Sequence, residues 1–229
     1  MPETSLPLRP LLVVPALISL AVTLLRLGGE LLQWSPTFFS REAGGGGAVV
    51  GISWLIPLFG IYFALRLARM GEGPPGAARV FGWALVGFVA NTAVFFLAFA
   101  LFPKSPQGQL ALFGVGSLFA VAVARPGWPA LWRVLVAYGL AARLPVVVIM
   151  LLAIFLGWDS HYAKPRPDFP PTGPLGLFLW TGLLPQMTIW IFLTVVGGMI
   201  FGALALAVRR LFGGARAGLA GQPGSASAG

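Results

Sequence analysis

Long uncharged apolar runs recur along the chain, and the last of them is the longest. Residues 175–208 contain no charged side chain, which corresponds to about 50 Å of helix at about 1.5 Å per residue. A helix needs only about 20 apolar residues to cross the hydrocarbon core of a bilayer. Charged residues make up 9% of the chain, whereas soluble domains carry about a quarter. The sequence therefore predicts an integral membrane protein and excludes a soluble globular one.

Six crossings fit these runs, so the predicted fold class is an all-α, polytopic transmembrane helical bundle. The predicted spans are residues 8–27, 48–65, 80–102, 109–124, 130–156 and 186–208. Pro185 interrupts the last apolar run, which predicts an extra interfacial or re-entrant helix at residues 174–185 before the sixth span. Residues 1–211 form a single transmembrane domain in this interpretation. The Gly-, Ala- and Ser-rich residues 212–229 form a disordered cytoplasmic tail.

The basic residues predict which side of the membrane each loop faces. With six crossings, nine Arg residues fall on one side, whereas the other side receives five Lys or Arg residues and four of the six acids. Because the cytoplasmic side carries the excess of Lys and Arg, both termini are predicted to be cytoplasmic. The membrane is then a plasma or inner membrane, and residues 157–173 lie outside.

The net charge of +9 and the pI near 11.5 raise the question of nucleic-acid binding. The basic residues, however, are scattered at the ends of apolar runs and do not cluster on one polar face. That placement predicts a lipid bilayer, with anionic lipids as partners, and no nucleic acid.

Small residues recur at every fourth position on three of the predicted spans, where they allow helices to approach closely. These tracks are Gly60 and Ala64, then Gly116, Ala120 and Ala124, and last Thr194, Gly198 and Gly202. They predict packing either within the chain or, for one track, against a membrane-protein partner or a second copy of the chain.

Arg143 is the most informative single residue of the sequence. It follows Arg133 by ten residues, about 15 Å along a helix, and is therefore predicted near the middle of the membrane. An arginine there costs at least about 2.5 kcal/mol, and no acidic residue lies inside a predicted span to neutralise it. We therefore predict an anionic ligand at Arg143, with Asn91 and Gln186 as further ligand-binding residues. In the alternative, the fifth helix is short and begins near Arg143, which then snorkels to lipid phosphate.

The polar segment GWDSHYAKPRPDFPPTG, residues 157–173, contains the only histidine, His161. Its closely spaced prolines disfavour a helix, so we predict a rigid extracytoplasmic cap across the mouth of the bundle. A predicted cluster of loop residues on this face comprises Glu30, Asp159, His161, Lys164, Arg166 and Asp168. In particular, Glu30 or Glu42 is predicted to pair with Lys164 or Arg166 across the two loops.

Groups that carry catalysis or bind cofactors are scarce in this chain. There are no cysteines, one histidine, and no HExxH, Walker or GxSxG motif, so we predict no metal and no cofactor. Three function classes remain. The first is a non-catalytic membrane subunit or assembly protein. The second is a small transporter, channel or lipid-binding bundle for an anionic ligand near Arg143, and the third is an intramembrane enzyme that uses His161 with Asp159 or Asp168.

Overall fold

A computed structural model of the chain describes residues 8–45, 47–74, 76–165, 167, 169–170 and 172–220. The described residues form helices and connecting turns, without a strand among them. The helices are α1 (Leu8–Leu31), α2 (Leu55–Arg69), α3 (Ala77–Leu101), α4 (Pro106–Ala124), α5 (Pro129–Leu156), α6 (Gly173–Leu177), α7 (Leu184–Met187), α8 (Ile189–Phe192) and α9 (Gly198–Ala220). Six helical segments are long and apolar enough to cross a membrane. The predicted all-α helical bundle is confirmed, and its apolar helices fit a protein embedded in a membrane.

The fifth span is one continuous helix of 28 residues, with Pro145 inside it. It begins as the sequence predicts, because Pro129 occupies the first helical turn, where a missing N–H is tolerated. The alternative of a short fifth helix that begins near Arg143 is therefore wrong. At the chain's end, α9 includes the first nine residues of the predicted tail, 212–220, and residues 221–229 lie outside the described part.

The sixth apolar segment, Gly173–Phe212, is 40 residues long and irregular at several points. It starts with α6 and a π-helix, Phe178–Leu183, and α7 is separated from α8 at Thr188 (φ −121°, ψ −72°). Pro185 has no N–H for the carbonyl of Thr181 and its ring crowds that carbonyl, which explains the widened turn before it. The interruption itself lies at Thr188, three residues later than the sequence predicts.

All three small-residue tracks make contacts within the chain. A Cβ atom on Gly60 of α2 would lie 2.6 Å from the carbonyl oxygen of Gly198 on α9, so the two backbones are in direct contact. Similarly, a Cβ on Gly87 of α3 would lie 2.9 Å from the carbonyl oxygen of Ala120 on α4. Close backbone approach of this kind is how helices associate where no hydrophobic effect acts between them.

Candidate functional site

A cavity of about 600 Å³ lies among α1, α3, α4, α5 and the sixth segment. It is at the end of the bundle that carries the two long connections, residues 32–54 and 157–172, and both connections contribute to its lining. Its volume falls within the range of about 300–1,000 Å³ that is typical of small-molecule sites. The segment that the sequence predicts as a cap therefore borders an internal space.

Arg143 lies at the middle of α5 and lines this cavity, with only 4% of its surface exposed. Its guanidinium carbon is 4.3 Å from the centroid of the Trp190 ring, a cation–π geometry. Its Nε is buried and has no hydrogen-bond partner. Within the described residues, no carboxylate forms an ion pair with it. Arg143 is thus a buried cation whose charge the described chain does not neutralise.

Gln186 lines the same cavity, whereas Asn91 does not. The Oε1 of Gln186 is buried without a hydrogen-bond partner, and its Nε2 lies 3.8 Å from the Met150 sulfur. Asn91 lies between α3 and α4, where its Oδ1 accepts a hydrogen bond from Ser117 Oγ at 3.1 Å. The structure therefore brings Arg143 and Gln186 to one space and places Asn91 in a helix contact.

A second group of polar residues is buried beside the cavity, with the carboxylate of Glu30 at its centre. Arg26 Nε donates to Glu30 Oε1 at 2.8 Å, and the backbone N–H of His161 donates to Oε2 at 3.0 Å. His161 Nδ1 lies 2.5 Å from Oε1. Arg26 also donates to the carbonyls of Val50 and Ser40. The buried pair of Arg26 and Glu30 therefore connects the end of α1 to both long connections.

Burial of the histidine in this cluster disfavours its charged form. Burial lowers the pKa of His161 below its usual value of 6.5, and the nearby positive charge of Arg26 lowers it further, although the hydrogen bond with Glu30 opposes both. The cluster then contains one cation, one carboxylate and one neutral imidazole, which balances its charge.

Acidification is expected to destabilise the protein through His161. Because the pKa is lowered in the folded state, the unfolded chain binds this proton first as the pH falls through about 6.5. The contribution of His161 to the free energy of unfolding is complete above that pH. It is lost as the pH decreases towards the pKa of His161 in the folded state. Melting temperatures measured between pH 7.5 and 5.5 should fall more steeply for the wild type than for His161→Gln. Parallel curves for the two proteins would contradict this assignment.

An exposed network joins the same two connections, with partners that differ from the predicted ones. Lys164 Nζ lies 3.0 Å from Asp159 Oδ1, and Arg41 pairs with Oδ2 of the same carboxylate. The hydrogen bond from Lys164, with the charge of Arg41, lowers the pKa of Asp159. Lys164 is thus paired with Asp159 and not with Glu30 or Glu42, and Glu30 is bonded to Arg26 and His161. The other predicted partner, Arg166, lies outside the described residues.

The sequence predicts that Asp159 or Asp168 acts together with His161. The expected partner Asp159 is bonded to Lys164 and Arg41, and His161 binds Glu30 instead. Arg166 and Asp168, the other predicted members of the loop cluster, lie outside the described residues. The only sequence signal for the buried cluster is the four-residue spacing of Arg26 and Glu30 in one helix.

The charged residues of the cavity lining are all basic, as far as the structure describes the chain: Arg26, Arg143 and Lys164. Arg26 is paired with Glu30, and Lys164 is paired with Asp159, which it shares with Arg41. Arg143 is therefore the buried cation of the described lining that has no carboxylate partner.

No protein-family model matches the chain, and neither a curated protein nor a solved structure gives a match. The function is therefore inferred from the cavity and its residues alone.

Proposed function

We propose that the protein is an integral membrane protein that binds an anionic ligand in this cavity, with Arg143 holding the negative charge. The observation that carries the proposal is a buried guanidinium that borders an internal space without a carboxylate beside it. An arginine in the centre of a span costs at least about 2.5 kcal/mol. The cation–π contact with Trp190 offsets about 0.5–2 kcal/mol of this cost. A bound anion supplies the missing counter-charge.

The backbone around the site supports the same proposal. The interruption at Thr188 and the π-helix before it lie next to Gln186 and Trp190. Irregular backbone at membrane depth is tolerated where it borders a cavity. Transporters bind substrates at discontinuous helices of this kind. With both termini cytoplasmic, as the basic residues predict, the cavity lies towards the outside, beneath residues 157–172.

Among the three classes expected from the sequence, the cavity favours the second, a transporter, channel or lipid-binding bundle. The small-residue tracks are one reason to expect a non-catalytic subunit, and the contacts of Gly60 with Gly198 and of Gly87 with Ala120 involve all three tracks in packing within the chain. A protein partner, a homo-oligomer and anionic lipids as partners stay predictions.

The proposal is tested by anion-dependent stabilisation of the purified protein in a neutral maltoside detergent. We expect phosphate or octanoate to raise the melting temperature of the wild type, since a ligand of the folded state stabilises it by mass action. Arg143→Gln should lower the apparent affinity about tenfold or more, because hydrogen bonds to a charged group contribute about 1.5–3 kcal/mol. The variant should remain folded, since it removes a buried charge that has no counter-ion.

Arg133→Gln is the matched control, because it removes the same charge from the same helix at an exposed position. It should respond to both anions as the wild type does. An equal response of Arg143→Gln and the wild type, or the absence of any response to either anion, would overturn anion binding at Arg143.

A further inference from the structure

Two buried atoms of the cavity residues lack partners, and they have opposite requirements. Arg143 Nε is a hydrogen-bond donor, and Gln186 Oε1 is an acceptor. A carboxylate or a phosphate diester offers only acceptors, so it would satisfy Arg143 and leave the oxygen of Gln186 without a donor. An unpaired buried acceptor is costly. A ligand that satisfies both atoms has an anionic oxygen and an O–H or N–H donor.

The rest of the lining is largely apolar, which indicates that the ligand is more than a head group. Side chains from α3, α4, α5 and the sixth segment face this space, among them Phe95, Phe99, Phe113, Met150, Ile189 and Leu193. A small hydrated anion makes no favourable contact with such walls, whereas an alkyl chain releases water from them at about 25 cal/mol per Å². A cavity of about 600 Å³ is of the size that holds small molecules.

The charge of the head group follows from the balance in the lining. Arg26 and Lys164 are each paired with a carboxylate, and Arg143 alone among the described lining cations is not. The one buried cation without a carboxylate partner is matched by one negative charge on the ligand. A dianion would leave a second charge buried against an apolar wall.

We infer that the cavity binds a single-chain amphiphile whose monoanionic head carries its own hydroxyl, as a protonated phosphate monoester does. Arg143 binds the anionic oxygen, Gln186 Oε1 accepts the hydroxyl hydrogen, and the aromatic and aliphatic walls take the chain. This inference rests on the proposed function, since it names the ligand class for the same cavity.

Four octyl and phosphate probes separate the parts of this inference at pH 5.5, where a phosphate monoester, whose second pKa is about 6, is mostly a monoanion with one hydroxyl. Octyl phosphate has the chain, the charge and the hydroxyl; octyl methyl phosphate lacks the hydroxyl; inorganic phosphate lacks the chain; octyl glucoside lacks the charge. Apparent affinities come from the concentration dependence of the melting temperature. We expect octyl phosphate to bind the wild type at least about tenfold more tightly than each of the other three.

Two variants assign the hydroxyl preference to its residue. Gln186→Met keeps the length of the side chain but removes the acceptor, so octyl phosphate and octyl methyl phosphate should then bind equally, both still more tightly than inorganic phosphate. Gln107→Met is the control, because this glutamine lies on α4 between the lining residues Pro106 and Gln109 but is not itself part of the lining. It should keep the tenfold preference.

The hydroxyl contact, the alkyl chain and anion binding would each be contradicted by a different result. Equal affinities of the monoester and the diester for the wild type, or a preference that survives Gln186→Met, would overturn the hydroxyl contact. Equal affinities of octyl phosphate and inorganic phosphate would overturn the amphiphile and identify a free phosphate. Both results leave anion binding intact. Loss of the proposed function has another signature, namely the same responses in Arg143→Gln as in the wild type.

Discussion

Glu30→Gln is expected to lower the free energy of unfolding by about 3–5 kcal/mol, because it leaves the buried cation Arg26 without its carboxylate. Glu30 has no exposed surface, and its two oxygens take up hydrogen bonds from Arg26 and from the backbone of His161. An amide at this position has one acceptor oxygen and brings an N–H group against existing donors. Urea or thermal unfolding of the purified protein, followed by far-ultraviolet circular dichroism, measures the loss.

Two further variants show whether the charge of Glu30 is responsible. Glu42→Gln removes a carboxylate from an exposed position of the first long connection and should change stability by less than about 0.5 kcal/mol. Arg26→Gln combined with Glu30→Gln should be less destabilised than the sum of the two single variants, because the double variant leaves neither charge of this pair without the other. A loss in Glu30→Gln no larger than in Glu42→Gln would show that the buried pair contributes nothing.

The parts of the fold that follow from the bilayer were predictable from the sequence. The thickness of the hydrocarbon core sets the length of an apolar span, so the helices α3, α4 and α5 begin and end within three residues of the predicted bounds. The location of Arg143 at the middle of α5 follows from the same counting, because helical rise is constant. Arg143 is buried beside a cavity, which is consistent with the free-energy cost of exposing a charged side chain to lipid in the middle of an apolar span.

The contacts between the long connections could not be predicted in the same way. Glu30 is separated from His161 by 131 residues, and which cation it meets depends on how two loops fold over the bundle. Judged by charge alone, Lys164 is as suitable a partner for Glu30 as Arg26. The position of the helix interruption is likewise a tertiary property: Pro185 perturbs the turn before it, but the backbone leaves the helical conformation at Thr188. The hydropathy of the sequence predicts neither the partner of Glu30 nor the position of the interruption.

Gly60→Ala is expected to destabilise the protein by about 1–3 kcal/mol, although alanine is the better helix former. The added Cβ would lie 2.6 Å from the carbonyl oxygen and 2.7 Å from the Cα of Gly198. These are backbone atoms, so no side chain can rotate away, and α2 and α9 have to separate. Since dispersion falls off steeply with distance, the separation weakens the whole contact between these helices. The measurement is the melting temperature in detergent.

Gly82→Ala provides the comparison, because Gly82 lies within α3 and a Cβ there would have no other atom within 4 Å. It should stabilise the protein by about 0.5–1 kcal/mol, the ordinary gain from replacing glycine by alanine inside a helix. The same chemical change is thus expected to have opposite signs at the two positions. If both variants gained stability, α2 and α9 would be able to accommodate a methyl group between them. The track of small residues on α2 would then not be required for packing within the chain, and a contact with another subunit would again be a reason for its presence.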